Sequence, residues 1–221
     1  MSTDNSSDHG SSQEAPHAHH FVSANHQYSA AKEGIWLFMT TEIVMFGGLF
    51  VAYIIFRNLY PEVFAEGASY LNWKLGATNT VVLIFSSLTM ALAIHYIQVG
   101  DRVKSSRMLL VTMACALTFL AIKFFEYKVK IEHGTLPGAF FHEKEFNNPN
   151  LPLFFGMYFV MTGLHGLHVI IGFFLMLWLY IKVQKGTIGP ENYTQMEGVG
   201  MFWHVVDLVW IYLFPLYYLV G

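Results

Sequence analysis

The chain has 221 residues, of which 54% are hydrophobic, 17% aromatic and only 12% charged, and its mean hydropathy is +0.43. A soluble domain carries about twice that share of charge, so the composition points away from a water-soluble globule and towards an all-α, polytopic membrane protein with no separate soluble domain. The net charge of −3 leaves no electrostatic footprint for nucleic acid, and the single cysteine, Cys115, makes no internal disulfide and supplies no CxxC or CxxCH pattern for zinc or covalent haem.

Residues 1–30 are rich in Ser, His, Asp and Gln and poor in apolar side chains. Such a segment buries too little surface to fold, so a disordered tail is expected there. It carries His9, His17, His19, His20 and His26, which read as a solvated tract with weak, adventitious metal affinity. No apolar core precedes Ile35, which argues against a cleavable signal peptide. Residues 31–221 then form a bundle of five transmembrane helices, with spans at about 35–56, 75–97, 108–127, 153–183 and 199–220.

The first span holds Thr40, Thr41, Glu42 and the Gly47-Gly48 pair, and Pro61 cannot continue it. A linker with Glu62, Glu66, Trp73 and Lys74 leads to the second, which carries Asn79, Ser86, Ser87, Thr89 and His95 and stops at Gly100-Asp101. A short basic loop with Arg102, Lys104 and Arg107 precedes the third, whose end holds Lys123 and Glu126. A polar loop through Lys128, Pro137-Gly138, Glu143 and Pro149 follows. The fourth span opens with Asn150 as N-cap and Pro152 in the first turn, and ends before Gly186. Thr194-Gln-Met-Glu197 matches a capping box for the fifth, which contains His204, Asp207 and Trp210 and is kinked by Pro215. Basic residues divide almost evenly between the two sides but are denser in the short loops on the N-terminal side, which leans the N-terminus to the cytoplasm.

The ionisable side chains within the spans are costly in hydrocarbon and therefore need partners. Thr162-Gly-Leu-His-Gly-Leu-His-Val-Ile-Ile-Gly172 places His165 and His168 on one helix face, while Gly163, Gly166 and Gly172 allow close approach of another backbone. The two imidazoles could serve a haem or a metal, but the other candidates, His95 and His204, fall near the membrane edge while His165 and His168 lie deeper. Hydrogen-bonded structural histidines remain, most simply His168 with Glu42; Glu42 alternatively serves a proton relay. His204 and Asp207, spaced i, i+3, read as a local pair or as a polar entrance for protons or headgroups. Lys123 and Glu126 neutralise each other or snorkel to the interface. Trp36, Trp73 and Trp178 suit interfacial anchors, whereas Trp203 and Trp210 could equally face other helices.

The stretch Thr162–Gly172 resembles a signature of subunit III of the haem-copper cytochrome c oxidases, as does Phe202-Trp-His-Val-Val-Asp-Leu-Val-Trp210. Thr41-Glu-Ile-Val-Met-Phe-Gly-Gly-Leu-Phe50, Asn79-Thr80 with Ser86-Ser87, and Phe125-Glu-Tyr127 resemble successive helices of that family in the same order, covering about residues 31–221. Longer members have seven helices, the first two forming one wall of a lipid-filled cleft; this chain is similar to the five-helix bacterial form. Glu42, His165 and His168 match positions that line the cleft. The resemblance implies an accessory subunit with no catalytic residue, metal or redox cofactor of its own. Haem and copper reside in subunits I and II, phospholipid is bound, and proton uptake into subunit I is sustained. It also implies a bacterial cytoplasmic-membrane location with the N-terminus cytoplasmic and the C-terminus outside. The implied partners are subunit I as main contact, subunit II, phospholipids and a larger respiratory supercomplex.

Three alternatives stay open on sequence: the same subunit in a quinol oxidase, an accessory subunit of a nitric oxide reductase, and a free-standing ion or proton transporter using Glu42 and Lys123 as a relay. A transporter would be expected to show inverted repeats or broken helices, and neither is visible in the sequence.

Overall fold

The computed structural model describes residues 24–132, 134–135 and 148–219. The expected tail up to residue 23 and the Pro137–Glu143 part of the polar loop lie outside the described residues. The elements are α1 (Ala24–Leu59), α2 (Pro61–Ser69), α3 (Trp73–Gln98), α4 (Arg102–Glu132), α5 (Leu151–Gln184) and α6 (Thr194–Phe214), and a single π-helical turn, Pro215–Leu219, continues α6. Among the described residues, five of the six helices are long and apolar enough to cross a membrane. No strand occurs among the described residues.

Helices α3, α4, α5 and α6 close a ring in which each touches two neighbours, α3 with α4 and α6, and α5 with α4 and α6. Helix α1 stands outside this ring against α6 and, more thinly, α5, and is the least buried of the five. Its apolar side chains Trp36, Ile43, Val44, Val51 and Ile54 face outwards, as expected of a surface that meets lipid or another membrane subunit. The ring core is aromatic: Phe119, Phe154, Phe155, Tyr158, Trp203, Trp210 and Tyr217 are fully buried. Trp203 and Trp210 thus face other helices, while Trp36, Trp73 and Trp178 stay exposed.

The helices outrun the apolar windows read from sequence. Helix α4 begins at Arg102 and runs to Glu132, because Asp101 caps it and its charged flanks are good helix formers outside the hydrocarbon. Residues 61–69, read as linker, form α2: Pro61 occupies the first turn, and Val63, Phe64, Gly67 and Ala68 bury one face against the start of α5. The Thr194–Glu197 capping box does not form. Thr194 is already helical, Tyr193 takes the cap position, and no side chain caps it. Asn150 does hold the cap position of α5, again without a side-chain cap bond.

Of the three glycines expected to admit a backbone, only Gly172 sits in a tight contact, and what it admits is a side chain. A Cβ there would lie 2.8 Å from the Trp203 ring, whereas Gly166 faces open space and Gly163 meets nothing nearer than Tyr127 Oη at 3.8 Å. At Pro215 the α-helical pattern widens to π, and the Leu216 carbonyl accepts a hydrogen bond from Tyr53 Oη of α1. That bond ties the outer helix to the end of the ring.

Candidate functional site

Glu42 on α1 and His168 on α5 meet across the seam between the outer helix and the ring. Glu42 Oε2 lies 2.8 Å from His168 Nε2, and both side chains are largely buried, 14% and 10% exposed. His168 Nδ1 lies 2.7 Å from the carbonyl oxygen of Leu164, one turn earlier on the same helix. A carbonyl can only accept, so Nδ1 carries a proton, and the Nε2–Oε2 contact requires a second one between them. Whichever atom holds it, the pair is neutral overall, which is the form hydrocarbon tolerates. Phe46 approaches the imidazole edge-on, with ring centroids 5.2 Å apart, and Phe202 lies on another side at 6.3 Å.

Two apolar clefts run along α1 from this pair. One, of 250 Å³, is lined by Ile35, Phe38, Met39, Leu175, Trp178 and Phe202; the other, of 290 Å³, by Ile43, Phe46, Phe50, Val205, Leu208 and Tyr212. Apart from Gln195 in the first, their walls are hydrocarbon and aromatic, so they suit acyl chains rather than polar solutes.

His165, one turn from His168, has a different environment. It is fully buried between Phe119, at 5.3 Å, and Trp210, at 5.2 Å. Neither ring nitrogen finds a hydrogen-bond partner among the described residues. The two histidines of the motif therefore divide: one pairs with a carboxylate at the seam, the other packs as an aromatic ring inside the bundle.

Lys123 and Glu126 of α4 neutralise each other inside the bundle and do not snorkel: Lys123 Nζ lies 2.9 Å from Glu126 Oε2, with side chains 9% and 4% exposed. Lys123 Nζ also donates to Tyr218 Oη at 2.8 Å and Tyr158 Oη at 3.2 Å, and both phenols donate to Glu126 Oε1, at 2.7 Å and 3.0 Å. The Trp210 ring centroid is 4.5 Å from the same ammonium. Lys130 approaches Glu126 Oε1 at 3.8 Å. Sequence reading missed Lys130, Tyr158 and Tyr218. Lys130 had a signal, since it follows Glu126 by one helical turn; the tyrosines had none, because they come from α5 and the last turn of the chain.

His204 and Asp207 do not form the local pair read from their i, i+3 spacing. His204 Nδ1 lies 2.6 Å from Ser87 Oγ of α3. Asp207, 3% exposed, is not bonded to His204; the hydroxyls of Ser86 and Ser87 on α3 are the donors beside it. Trp203 Nε1 donates to Ser86 Oγ and Trp210 Nε1 to Thr80 Oγ1, each at 3.1 Å, so α6 is fixed to α3 by indole and imidazole contacts with small hydroxyls. Among the described residues, no three His, Cys, Asp or Glu side chains are placed to hold a metal ion together.

The family model for "Cytochrome c oxidase subunit III" matches residues 13–221. A cytochrome c oxidase subunit 3 from Synechocystis sp. is 34% identical over 84% of this chain and 74% of its own length. A heme-copper oxidase subunit I+III from Aeropyrum pernix is 29% identical over 86% of this chain, which spans 22% of that longer polypeptide. A probable quinol oxidase subunit 3 from Staphylococcus aureus is 25% identical over 90% of this chain and 93% of its own. The match of the family model over nearly all of the chain joins the glutamate–histidine seam and the five-helix bundle to one conclusion: the chain belongs to the cytochrome c oxidase subunit III family.

Proposed function

We propose that this chain is the non-redox accessory subunit of a proton-pumping haem-copper terminal oxidase that passes electrons from cytochrome c to dioxygen. Catalysis, haem and copper belong to subunits I and II. Residues 31–221 serve as one membrane domain that binds phospholipid, stabilises the complex and sustains proton uptake into subunit I, and residues 1–30 serve as a solvated segment whose last part, from Ala24, already belongs to α1. The observation that carries the reading is the neutral Glu42–His168 bridge, which fixes α1 to the ring and is flanked by two apolar clefts. Such a bridge holds a protein–lipid boundary in register without a net buried charge.

The fused Aeropyrum relative, named as subunit I+III, supports subunit I as the main contact. Subunit II and a larger respiratory supercomplex complete the proposed assembly, in a bacterial cytoplasmic membrane with the N-terminus cytoplasmic and the C-terminus outside. A quinol donor is the second reading, favoured by the Staphylococcus aureus relative, whose length this chain nearly spans. The same role for Glu42, His165, His168, His204, Asp207, Lys123 and Glu126 serves both donors: these side chains hold lipid and neighbouring helices.

The test is co-purification. A tagged chain is expected to bring down a haem-copper subunit with a reduced-minus-oxidised haem spectrum, and a donor assay on that complex separates cytochrome c from quinol. Glu42→Gln and His168→Ala complexes are then expected to inactivate sooner during turnover than the parent. Isolation of the chain without a haem protein, or unchanged turnover lifetimes in both variants, would remove the reading.

A further inference from the structure

Where α5 finishes and α4 begins, a 370 Å³ cleft opens at the membrane edge, lined by Arg102, Ser106, Arg107, Leu110, Tyr180 and Gln184 among others. It shares no residue with the two clefts along α1. Among the described residues, neither guanidinium has a carboxylate within ion-pair distance; the neighbouring acid, Asp101, is held by Lys104 at 2.9 Å. No Asp or Glu lines the cleft.

Arg102 is positioned by the fold. Gly186 ends α5 with a φ of +74°, a conformation that glycine favours, and a Cβ there would lie 2.7 Å from Arg102 Nη1. The guanidinium therefore lies against the turn that closes α5. Ser106, one turn into α4, is only 5% exposed and lines the cleft. The cleft thus sets a small hydroxyl beside two guanidinium groups that make no close ion pair among the described residues, Arg107 acting on Asp101 only at longer range.

Its chemistry grades along the helix. Arg102 lies at the polar end, and Leu110 lies about 12 Å further along α4 and about 4.5 Å beyond Arg107, towards the hydrocarbon. Trp178, with Lys182 Nζ 4.1 Å from its ring centroid, sits in the last two turns of α5 at the same edge. Guanidinium forks match phosphate oxygens in geometry and charge, and an apolar floor beneath them matches an acyl chain.

We propose that this cleft seats the phosphate of an anionic phospholipid, with Arg102 and Arg107 on the phosphodiester and an acyl chain running past Leu110. The absence of a lining carboxylate gives the cationic half of a zwitterionic headgroup no partner, so a net-anionic lipid is preferred over phosphatidylcholine. A free phosphate would satisfy the guanidinium groups equally but leave the apolar floor unused.

The full chain, delipidated in mild detergent, is titrated with phosphatidylglycerol, phosphatidylcholine or inorganic phosphate, and retained adducts are counted by native mass spectrometry. Phosphatidylglycerol is expected to bind more tightly than phosphatidylcholine, and Arg107→Gln to weaken it about fivefold, with a similar further loss in the Arg102→Gln, Arg107→Gln double variant. Lys128→Gln, an exposed cation at the other end of α4, is expected to retain the adduct. Because Arg102 packs on the α5 turn, Arg107→Gln decides the matter alone if the double variant does not fold. Equal binding of the two lipids, unchanged phosphatidylglycerol binding by Arg107→Gln, or displacement of the lipid by an equal concentration of inorganic phosphate would overturn the proposal.

Discussion

His168 is bound at both ends: Nδ1 to the Leu164 carbonyl at 2.7 Å and Nε2 to Glu42 at 2.8 Å, so one imidazole couples an α5 turn to α1. The protonated Nδ1 fixes what substitutions will do. In Glu42→Gln the amide nitrogen can donate to the Nε2 lone pair, and the bond survives without the shared proton. In His168→Ala the Glu42 carboxyl loses its partner at a largely buried position, at a cost of about 1–3 kcal/mol. Chemical denaturation in detergent is expected to rank the variants wild type, Glu42→Gln, His168→Ala from most to least stable. Equal losses for the two would mean that the contact contributes little.

Gly172 and Gly166 offer a paired test on a single helix. Alanine at 172 must displace the Trp203 ring, which is itself fully buried, so overpacking of about 1–3 kcal/mol is expected. Alanine at 166 meets open space and gains helix propensity of about 0.5–1 kcal/mol. Melting temperatures should therefore move in opposite directions. A Gly166→Ala chain destabilised on its own would show that the space there is not open, whereas one that is stable alone but fails to assemble would show that another subunit packs against that face.

The pairing of Glu42 with His168 was legible in the sequence because polar groups in hydrocarbon have few choices, and these two lie at compatible depths in their spans. The Lys123–Glu126 pair was legible for a simpler reason: i, i+3 spacing on one helix fixes proximity. The same rule failed for His204 and Asp207, because Ser87 of α3 reaches the imidazole first, and which serine faces which turn of α6 depends on interhelical register. Tyr158 and Tyr218 were invisible for that reason too. Helix α2 left a trace in the spacing of Val63, Phe64, Gly67 and Ala68 behind a proline, but it is short and its acidic residues disguised it as a linker. Span ends were drawn short because hydropathy reports where the hydrocarbon ends, whereas capping decides where the helix ends.

The cluster around Glu126 predicts an asymmetry between its members. Glu126 serves two lysines and two phenols, so Glu126→Gln leaves buried cations uncompensated and is expected to cost about 3–5 kcal/mol. Lys123→Met removes one cation but leaves the carboxylate with Lys130 and both phenols; its cost is expected to be about 1–3 kcal/mol. Unfolding of the two variants in the same detergent gives the order, and a Lys123→Met chain less stable than Glu126→Gln would show that the Trp210–ammonium contact dominates the cluster.

Asp101 governs how α4 begins and how the chain responds to acid. Its Oδ1 accepts the Lys104 backbone N–H at 3.0 Å, and Oδ2 lies 2.9 Å from Lys104 Nζ. The backbone hydrogen bond first, and then the Lys104 ammonium, hold this carboxyl below the usual carboxylate range. A lowered folded-state pKa means that, across the window between the two values, the unfolded chain binds more protons than the folded one. The stabilisation is therefore fully present above the ordinary carboxylate pKa of about 4 and is lost as the pH falls through the lower folded value. Asp101→Asn retains an oxygen that caps the helix but has nothing to titrate. On acidification from about pH 5 to about pH 3, the parent is expected to lose more thermal stability than Asp101→Asn. The difference should shrink in high salt, which screens the exposed Lys104 contact but not the cap bond. Parallel pH profiles for the two chains would show that Asp101 contributes only its hydrogen bond and not its charge.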